Sequence, residues 1–334
     1  MILHFSFTLL HLKLILVLSK INVKILITGG LGFIGSHLAE DLIKKNHKVI
    51  LITKSFSKKN NILDFKDQIK VIKVNIINHL KLGKIIEKEK PQVIIHLAGE
   101  TSHLKSFENP LYDIDVNAKS TLFILEKIRS MKLKCRFVLG STFIVVGKPK
   151  RLPVNEETPC FPTTLYGINR LSSEYFCKVY NIMYDLDCVV FRITNSFGPR
   201  EDFITKKNAV NFLIHQAFMG RDITIFHKGQ FYRDLIYISD VISGIETITS
   251  KGKSGELYWI SSSKKIWFYQ LGNLLTKLTS SKIKYVPTPS YTKKVDVGNF
   301  VVDNSKLCSL GWKPKVDVKY GIKLTLKYFA SLNS

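Results

Sequence analysis

Thr28-Gly29-Gly30-Leu31-Gly32-Phe33-Ile34-Gly35 decides the fold. The segment follows a β-branched, apolar run over residues 23–27 and precedes a helical pattern that opens near Ser36. Glycines let a backbone turn tightly and approach a pyrophosphate, while a helix N-terminus supplies free N–H groups and the positive end of a dipole. A lone G-x-x-G-x-x-G carries little information. At a strand–helix junction in the first βα unit it reads as a dinucleotide phosphate loop.

Working outward, the same texture repeats. Apolar runs at 49–52, 71–74, 93–97, 137–139 and 189–193 alternate with helical patterns at 36–45, 80–89, 120–129 and 171–184. The runs are apolar nearly throughout, the mark of strands covered on both faces. This spacing predicts an α/β, Rossmann-like doubly wound parallel sheet. After about Ser196 the loops lengthen. We expect an apolar extension at 1–22 and a dinucleotide-binding domain at 23–196. A smaller, mainly substrate-binding α/β region is expected at 197–334, with part of 230–260 returning to the sheet.

The chain has 334 residues, of which 45% are hydrophobic and 23% charged, enough for a large core without metal or disulfide staples. Collagen, coiled coil and disorder are excluded. The net charge of +24 invites a nucleic-acid reading, but it comes from 42 Lys and only 8 Arg scattered along the chain. Nucleic-acid readers cluster such residues on one element, so a basic surface facing anionic small molecules is favoured. Cys135, Cys160, Cys177, Cys188 and Cys308 form no C-x-x-C pair and are odd in number, which fits thiols in a reducing, cytoplasmic compartment and no metal site. Residues 2–18 are apolar apart from interruptions that include His4, His11 and Lys13. They lack the clear n-region and cleavage site of a signal peptide and are short for a span. A dispensable extension or a start-site choice is favoured, and membrane contact follows only if they are a real anchor.

Two further stretches carry chemistry. The second strand ends Leu51-Ile52-Thr53-Lys54-Ser55, with Lys58 and Lys59 beyond, and Thr53 lies 24 positions after Gly29. An acid there would hold the 2′-hydroxyl of NAD, and basic residues suit the 2′-phosphate of NADP. The absence of a carboxylate leans toward NADP or indifference, with solvated surface lysines as the plainer alternative. Tyr166-Gly167-Ile168-Asn169-Arg170 places a tyrosine and a cation at i and i+4, on one helix face. The cation lowers the phenol pKa toward the working range, as a general acid/base needs. Gly140-Ser141-Thr142 at the end of the fifth strand offers hydroxyls to the same substrate oxygen.

With these, His96-Leu97-Ala98-Gly99, Asp115-Val116-Asn117, Asn195-Ser196-Phe197-Gly198-Pro199-Arg200, Arg233-Asp234-Leu235-Ile236-Tyr237 with Asp240-Val241, and Leu310-Gly311-Trp312-Lys313-Pro314 stand in order along the chain. From about residue 23 to 329 the chain resembles the extended short-chain dehydrogenase/reductases, in particular the NAD-dependent sugar-nucleotide epimerase/dehydratase group. The resemblance implies a bound NAD (the family default) or NADP, a nucleotide-sugar substrate and a homodimer, and no nucleic-acid partner. It places Gly29, Gly32, Phe33, Ile34, Gly35, Thr53, Lys54, Asn75, Ile76, Leu97, Ala98, Gly99 and Asn117 on the cofactor, with Tyr166 and Arg170. It makes Tyr166 the catalytic base and Thr142 its hydroxyl partner, also touching substrate. Asn195 and Arg233 would hold the substrate diphosphate, and Asp296 its sugar or ribose.

Arg170 stands where the family has lysine. It keeps the charge, but its planar fork is not interchangeable with an ammonium. Where family dehydratases carry an acidic pair after the Ser/Thr position, this chain has Phe143 and Ile144, which move no proton. Dehydration is therefore disfavoured, and no extra Cys/His acid pair is evident near this loop. The remaining chemistry is redox epimerisation, like members resembling UDP-glucose 4-epimerase and CDP-tyvelose 2-epimerase. The alternatives are an NAD(P)-dependent ketosugar-nucleotide reductase or a catalytically weakened dinucleotide-binding member. His103 is expected to be a loop histidine bonded to backbone, and Trp259, Trp267 and Trp312 to be packing residues.

Overall fold

The computed structural model describes residues 22–201 and 209–332; the apolar stretch 2–18 lies outside them. The strands are β1 (Lys24–Thr28), β2 (Lys48–Thr53), β3 (Lys70–Lys73), β4 (Val93–His96), β5 (Arg136–Thr142), β6 (Cys188–Ile193), β7 (Asn195–Phe197), β8 (Ile223–Phe226), β9 (Tyr232–Arg233), β10 (Leu235–Tyr237), β11 (Leu257–Ile260), β12 (Ile266–Trp267) and β13 (Ile283–Val286). Seven of them form one sheet in the order β11-β6-β5-β4-β1-β2-β3, every pair parallel. The order reverses between β1 and β4. In an open doubly wound sheet such a reversal leaves a crevice outside the carboxyl ends of the strands, and ligands bind there.

The inner strands are apolar because helices cover both faces. Leu26, Ile27, Leu51, Ile94, Phe137, Val138 and Phe191 are each fully buried. Helices α1 (Phe33–Lys44), α2 (His79–Glu89), α3 (His103–Glu108), α4 (Pro110–Ile114), α5 (Ser120–Ser130) and α6 (Leu165–Tyr184) connect the first six strands. Then come α7 (Ala209–Phe218), α8 (Ile238–Lys251) and α9 (Phe268–Leu278). The part after residue 196 builds its own small sheets, β8 with β13, β9 with β12 and β7 with β10. From 257 to 260 the chain returns as β11 to pair with β6. Among the described residues no helix is long and apolar enough to cross a membrane.

Two helices start earlier than their apolar pattern. α1 opens at Phe33, with Gly32 as its N-cap, rather than near Ser36. α6 opens at Leu165, six residues before the expected 171, capped by the Thr164 hydroxyl, which accepts from the Gly167 N–H at 3.0 Å. The buried positions of its first turns include Tyr166, Asn169, Arg170, Ser173 and Glu174. Hydrophobic periodicity is silent where the inward face of a helix is polar.

His96 ties the switch point together. It is fully buried, with Nδ1 at 2.7 Å from the Thr28 hydroxyl and Nε2 at 3.2 Å from that of Ser120. Burial, and secondarily the nearby Arg170 charge, pulls its pKa down to about 3. The unfolded chain therefore binds a proton first as pH falls below about 6.5. Stability conferred by the neutral ring is complete above that pH and is lost progressively toward pH 3. In His96→Gln, which cannot titrate, the melting temperature should fall less steeply between pH 6.5 and 4 than in the wild type. Equal slopes would sink this reading.

Candidate active site

A cleft of about 590 Å³ opens at the switch point. Its walls include Gly29, Gly32, Phe33, Ile34, Gly35, Thr53, Lys54, Asn75, Ile76, Leu97, Ala98, Gly99, Asn117, Thr142, Tyr166, Arg170 and Asn195. Residues from six strand ends and three helices thus converge on one space. Arg233 and Asp296 are not among the lining residues. They pair with each other at 2.5 Å, and the Arg233 guanidinium also donates to the Gly298 and Tyr232 carbonyls.

The glycine loop is built for close approach. Gly29 sits at φ +72°, in the left-handed region, and a Cβ there would lie 3.0 Å from the Ala98 nitrogen. A Cβ on Gly35 would run into the Gly29 carbonyl. Gly32 gives α1 no capping side chain, and its first turn carries no acid. The first-turn N–H groups and the dipole are thus left for an anion. At the end of β2 the Thr53 hydroxyl is spent on the Ser55 carbonyl at 2.7 Å, and Lys54, Ser55, Ser57 and Lys58 form the wall. Among the described residues that form this wall there is no carboxylate.

At the other end, α6 turns Tyr166 and Arg170 inward. Burial pushes the Tyr166 phenol pKa up, while the Arg170 charge and the neighbouring Thr142 hydroxyl pull it back. Arg170 is buried, and neither its Nε nor its Nη1 has a hydrogen-bond partner. Behind it, the buried Asp113 carboxylate accepts from Asn117 Nδ2 at 3.0 Å and Asn169 Nδ2 at 2.7 Å, with Asn117 Oδ1 left unpartnered. Burial raises the Asp113 pKa, partly offset by those two amides. Unpaired buried polar atoms are costly, so the Arg170 donors and the Asn117 acceptor mark a place for polar ligand atoms. Together with the glycine cradle, these residues fit a nicotinamide dinucleotide.

Three participants were missed in the sequence. Asp113 and Asn169 brace the Arg170 wall. Glu174, at i+8 from Tyr166, accepts from the Ser141 hydroxyl and from Arg192 Nε at 3.0 Å and Nη2 at 2.6 Å. The signal for Glu174 was present as Tyr-x-x-x-Arg-x-x-x-Glu, one polar helix face extended by a turn. His103 departs from expectation too. It is the first residue of α3, Nδ1 meets no partner among the described residues, and its ring stands edge-on to Tyr166 with centroids 5.6 Å apart. Trp259 and Trp312 are buried in the core, and Trp267 packs edge-on against Tyr232.

A seven-stranded parallel sheet that carries its tyrosine on the helix after β5 is the architecture of the extended short-chain dehydrogenase/reductases. Residues 26–325 match the GDP-mannose 4,6-dehydratase family, and the chain belongs to it. The proteins it matches include UDP-glucose 4-epimerases, dTDP-glucose 4,6-dehydratases and UDP-glucuronic acid decarboxylases. The human dTDP-D-glucose 4,6-dehydratase is 28% identical over 320 residues, covering 92% of this chain and 89% of that protein. UDP-glucose 4-epimerase of Thermotoga maritima, solved with UDP-glucose, superposes with a TM-score of 0.86 at 29% identity, over 93% of this chain and 99% of that one. UDP-glucuronic acid 4-epimerase of Bacillus cereus, solved with UDP-glucuronic acid and NAD, gives 0.82 at 28% identity, over 92% and 99%.

Proposed function

We propose that this chain is a nucleotide-sugar epimerase in which Tyr166 is the acid/base. The observation that carries the reading is the set of proton-moving groups around Thr142. Phe143 and Ile144 line the cleft beside it, leaving the Tyr166 phenol where elimination of water would need a further acid and base. A nicotinamide dinucleotide, when bound, supplies a reversible hydride acceptor. Tyr166 takes the proton of a sugar hydroxyl and gives it back after the ketosugar has turned over. Thr142 orients that oxygen, and Arg170 holds the phenolate form within reach by its charge. The two unpaired Arg170 donors suit a ribose diol. Gly29, Gly32, Phe33, Ile34 and Gly35 would take the pyrophosphate, Asn75 and Ile76 the adenine side, and Leu97, Ala98, Gly99 and Asn117 the inner half. Asn195 and Arg233 would take the substrate diphosphate and Asp296 its sugar or ribose, with Arg233 leaving its present partners to do so. Thr53 and Lys54 favour NADP or tolerance of both cofactors. The five free thiols support a cytoplasmic setting.

We also assign a homodimer. Ile168, Tyr175, Val179 and Ile182 stand exposed at i, i+7, i+11 and i+14 of α6, and Leu104, Phe107 and Leu111 are exposed on the neighbouring α3 and α4. A stripe of that spacing suits helix pairing with a second copy. Light scattering of the purified chain should give twice the chain mass, and Ile182→Glu should shift it to the monomer.

The direct test is to denature the purified protein and identify released nucleotide by mass spectrometry. An epimerase returns what it takes and so retains its cofactor; stoichiometric NAD or NADP is expected, and its identity settles the selector. A protein that emerges empty favours the one-way reductase, or a site weakened by arginine at position 170.

A further inference from the structure

We propose that His103 is a substrate-contacting residue that reads a second sugar hydroxyl, the neighbour of the one Tyr166 deprotonates. This rests on the nucleotide-sugar reading above and assigns its specificity to a residue that reading does not use. His103 lines the same cleft as Tyr166, Thr142 and Arg170. Its ring meets the Tyr166 ring edge-on at 5.6 Å, which fixes the two side chains as a pair at one end of the cavity. Nδ1 is shielded from solvent yet has no hydrogen-bond partner among the described residues. Such an atom is unfavourable unless a ligand completes it.

The surroundings favour a neutral polar ligand group at this atom. Burial lowers the imidazole pKa, so the ring is neutral at pH 7 and Nδ1 either donates or accepts one hydrogen bond, as the tautomer dictates. Sugar hydroxyls do both. The ring is held by α3, whose Ser102 cap accepts from the Lys105 N–H at 3.3 Å, and by its packing on Tyr166, so the polar atom is presented with little freedom left to lose. Of the other polar groups at this end, the unpaired atoms of Arg170 and Asn117 are assigned above to the cofactor, and several of the rest are engaged. Glu100 accepts from the Ser102 N–H at 3.2 Å, and Asp113 is bonded to two amides. His103 thus keeps an unpaired polar atom on a ring packed against Tyr166, and a sugar with no hydroxyl next to the reacting carbon would leave it unpaired and bind less well.

The test uses the full chain with its cofactor and compares calorimetric affinities for UDP, UDP-glucose, dTDP, dTDP-glucose, GDP and GDP-mannose. For the nucleotide the protein prefers, the gain from adding the sugar is the readout. His103→Phe keeps the aromatic edge on Tyr166 and removes Nδ1. It should weaken the nucleotide sugar about tenfold and leave the bare diphosphate unchanged. His103→Asn, which restores a polar group near the same place, should recover part of the loss. A sugar affinity unchanged in His103→Phe overturns the proposal while leaving the epimerase reading intact. Equal losses for sugar nucleotide and bare diphosphate also overturn it, assigning the residue a structural role. A wild-type protein that binds none of the six overturns the nucleotide-sugar reading itself.

Discussion

Tyr166→Phe is expected to lower turnover of a nucleotide sugar by about 10²–10⁴-fold, the range of a single positioned acid/base. The side chain is buried between the Thr142 hydroxyl and the His103 ring. Phenylalanine fills the same space, so the fold and the edge contact survive and only the ionisable oxygen is lost. Dinucleotide retained through purification should be unchanged, because phenylalanine leaves the glycine loop and the Arg170 donors in place. In the wild type the rate should rise with pH up to the Tyr166 pKa. That value is the balance between burial, which raises it, and Arg170 with Thr142, which lower it. The rising limb should vanish in the variant. Residual activity within tenfold of wild type would remove Tyr166 from the chemistry.

The second large effect is on stability. Glu174→Gln should cost about 3–5 kcal/mol, because it strands the Arg192 guanidinium without its carboxylate inside the protein. The pair is the most buried ion pair among those found in the described residues, with side chains 5% and 7% exposed. Arg192 also lies 5.3 Å over the Trp259 ring, which helps to hold the guanidinium beside the carboxylate. At this chain length the loss corresponds to a melting temperature lower by roughly 4–7 °C. Glu174→Leu combined with Arg192→Met should recover most of it, since a well-packed apolar pair replaces a buried ion pair at little cost. A single variant that melts with the wild type would show that Arg192 finds another partner. Because Ser141 donates to the same carboxylate and precedes Thr142, the single variant should also turn over more slowly than its remaining folded fraction explains.

The sheet and the phosphate loop were legible because their determinants are local. Apolar runs of strand length, glycines at a strand end and a helix behind them follow from backbone sterics and two-sided burial, and both can be read within ten residues. The Tyr166–Arg170 spacing was legible for the same reason. The start of α6 was not, since its buried face is made of Tyr166, Asn169, Arg170, Ser173 and Glu174, and apolar periodicity registers nothing there. Nor could spacing show that Arg233 is engaged with Asp296, 63 positions away.

By itself, then, the sequence determined the fold class, and it singled out the glycine loop and Tyr166 that the proposed function uses. The tertiary structure alone decided which polar atoms are spent and which are free. Arg170 keeps two unpaired donors, His103 keeps Nδ1 and Asn117 keeps Oδ1, while Glu174, Asp113 and Thr53 are already bonded. The physical reason is that hydrogen-bond capacity at a buried site is shared among groups brought together from distant strand ends. No local pattern records who takes whose partner.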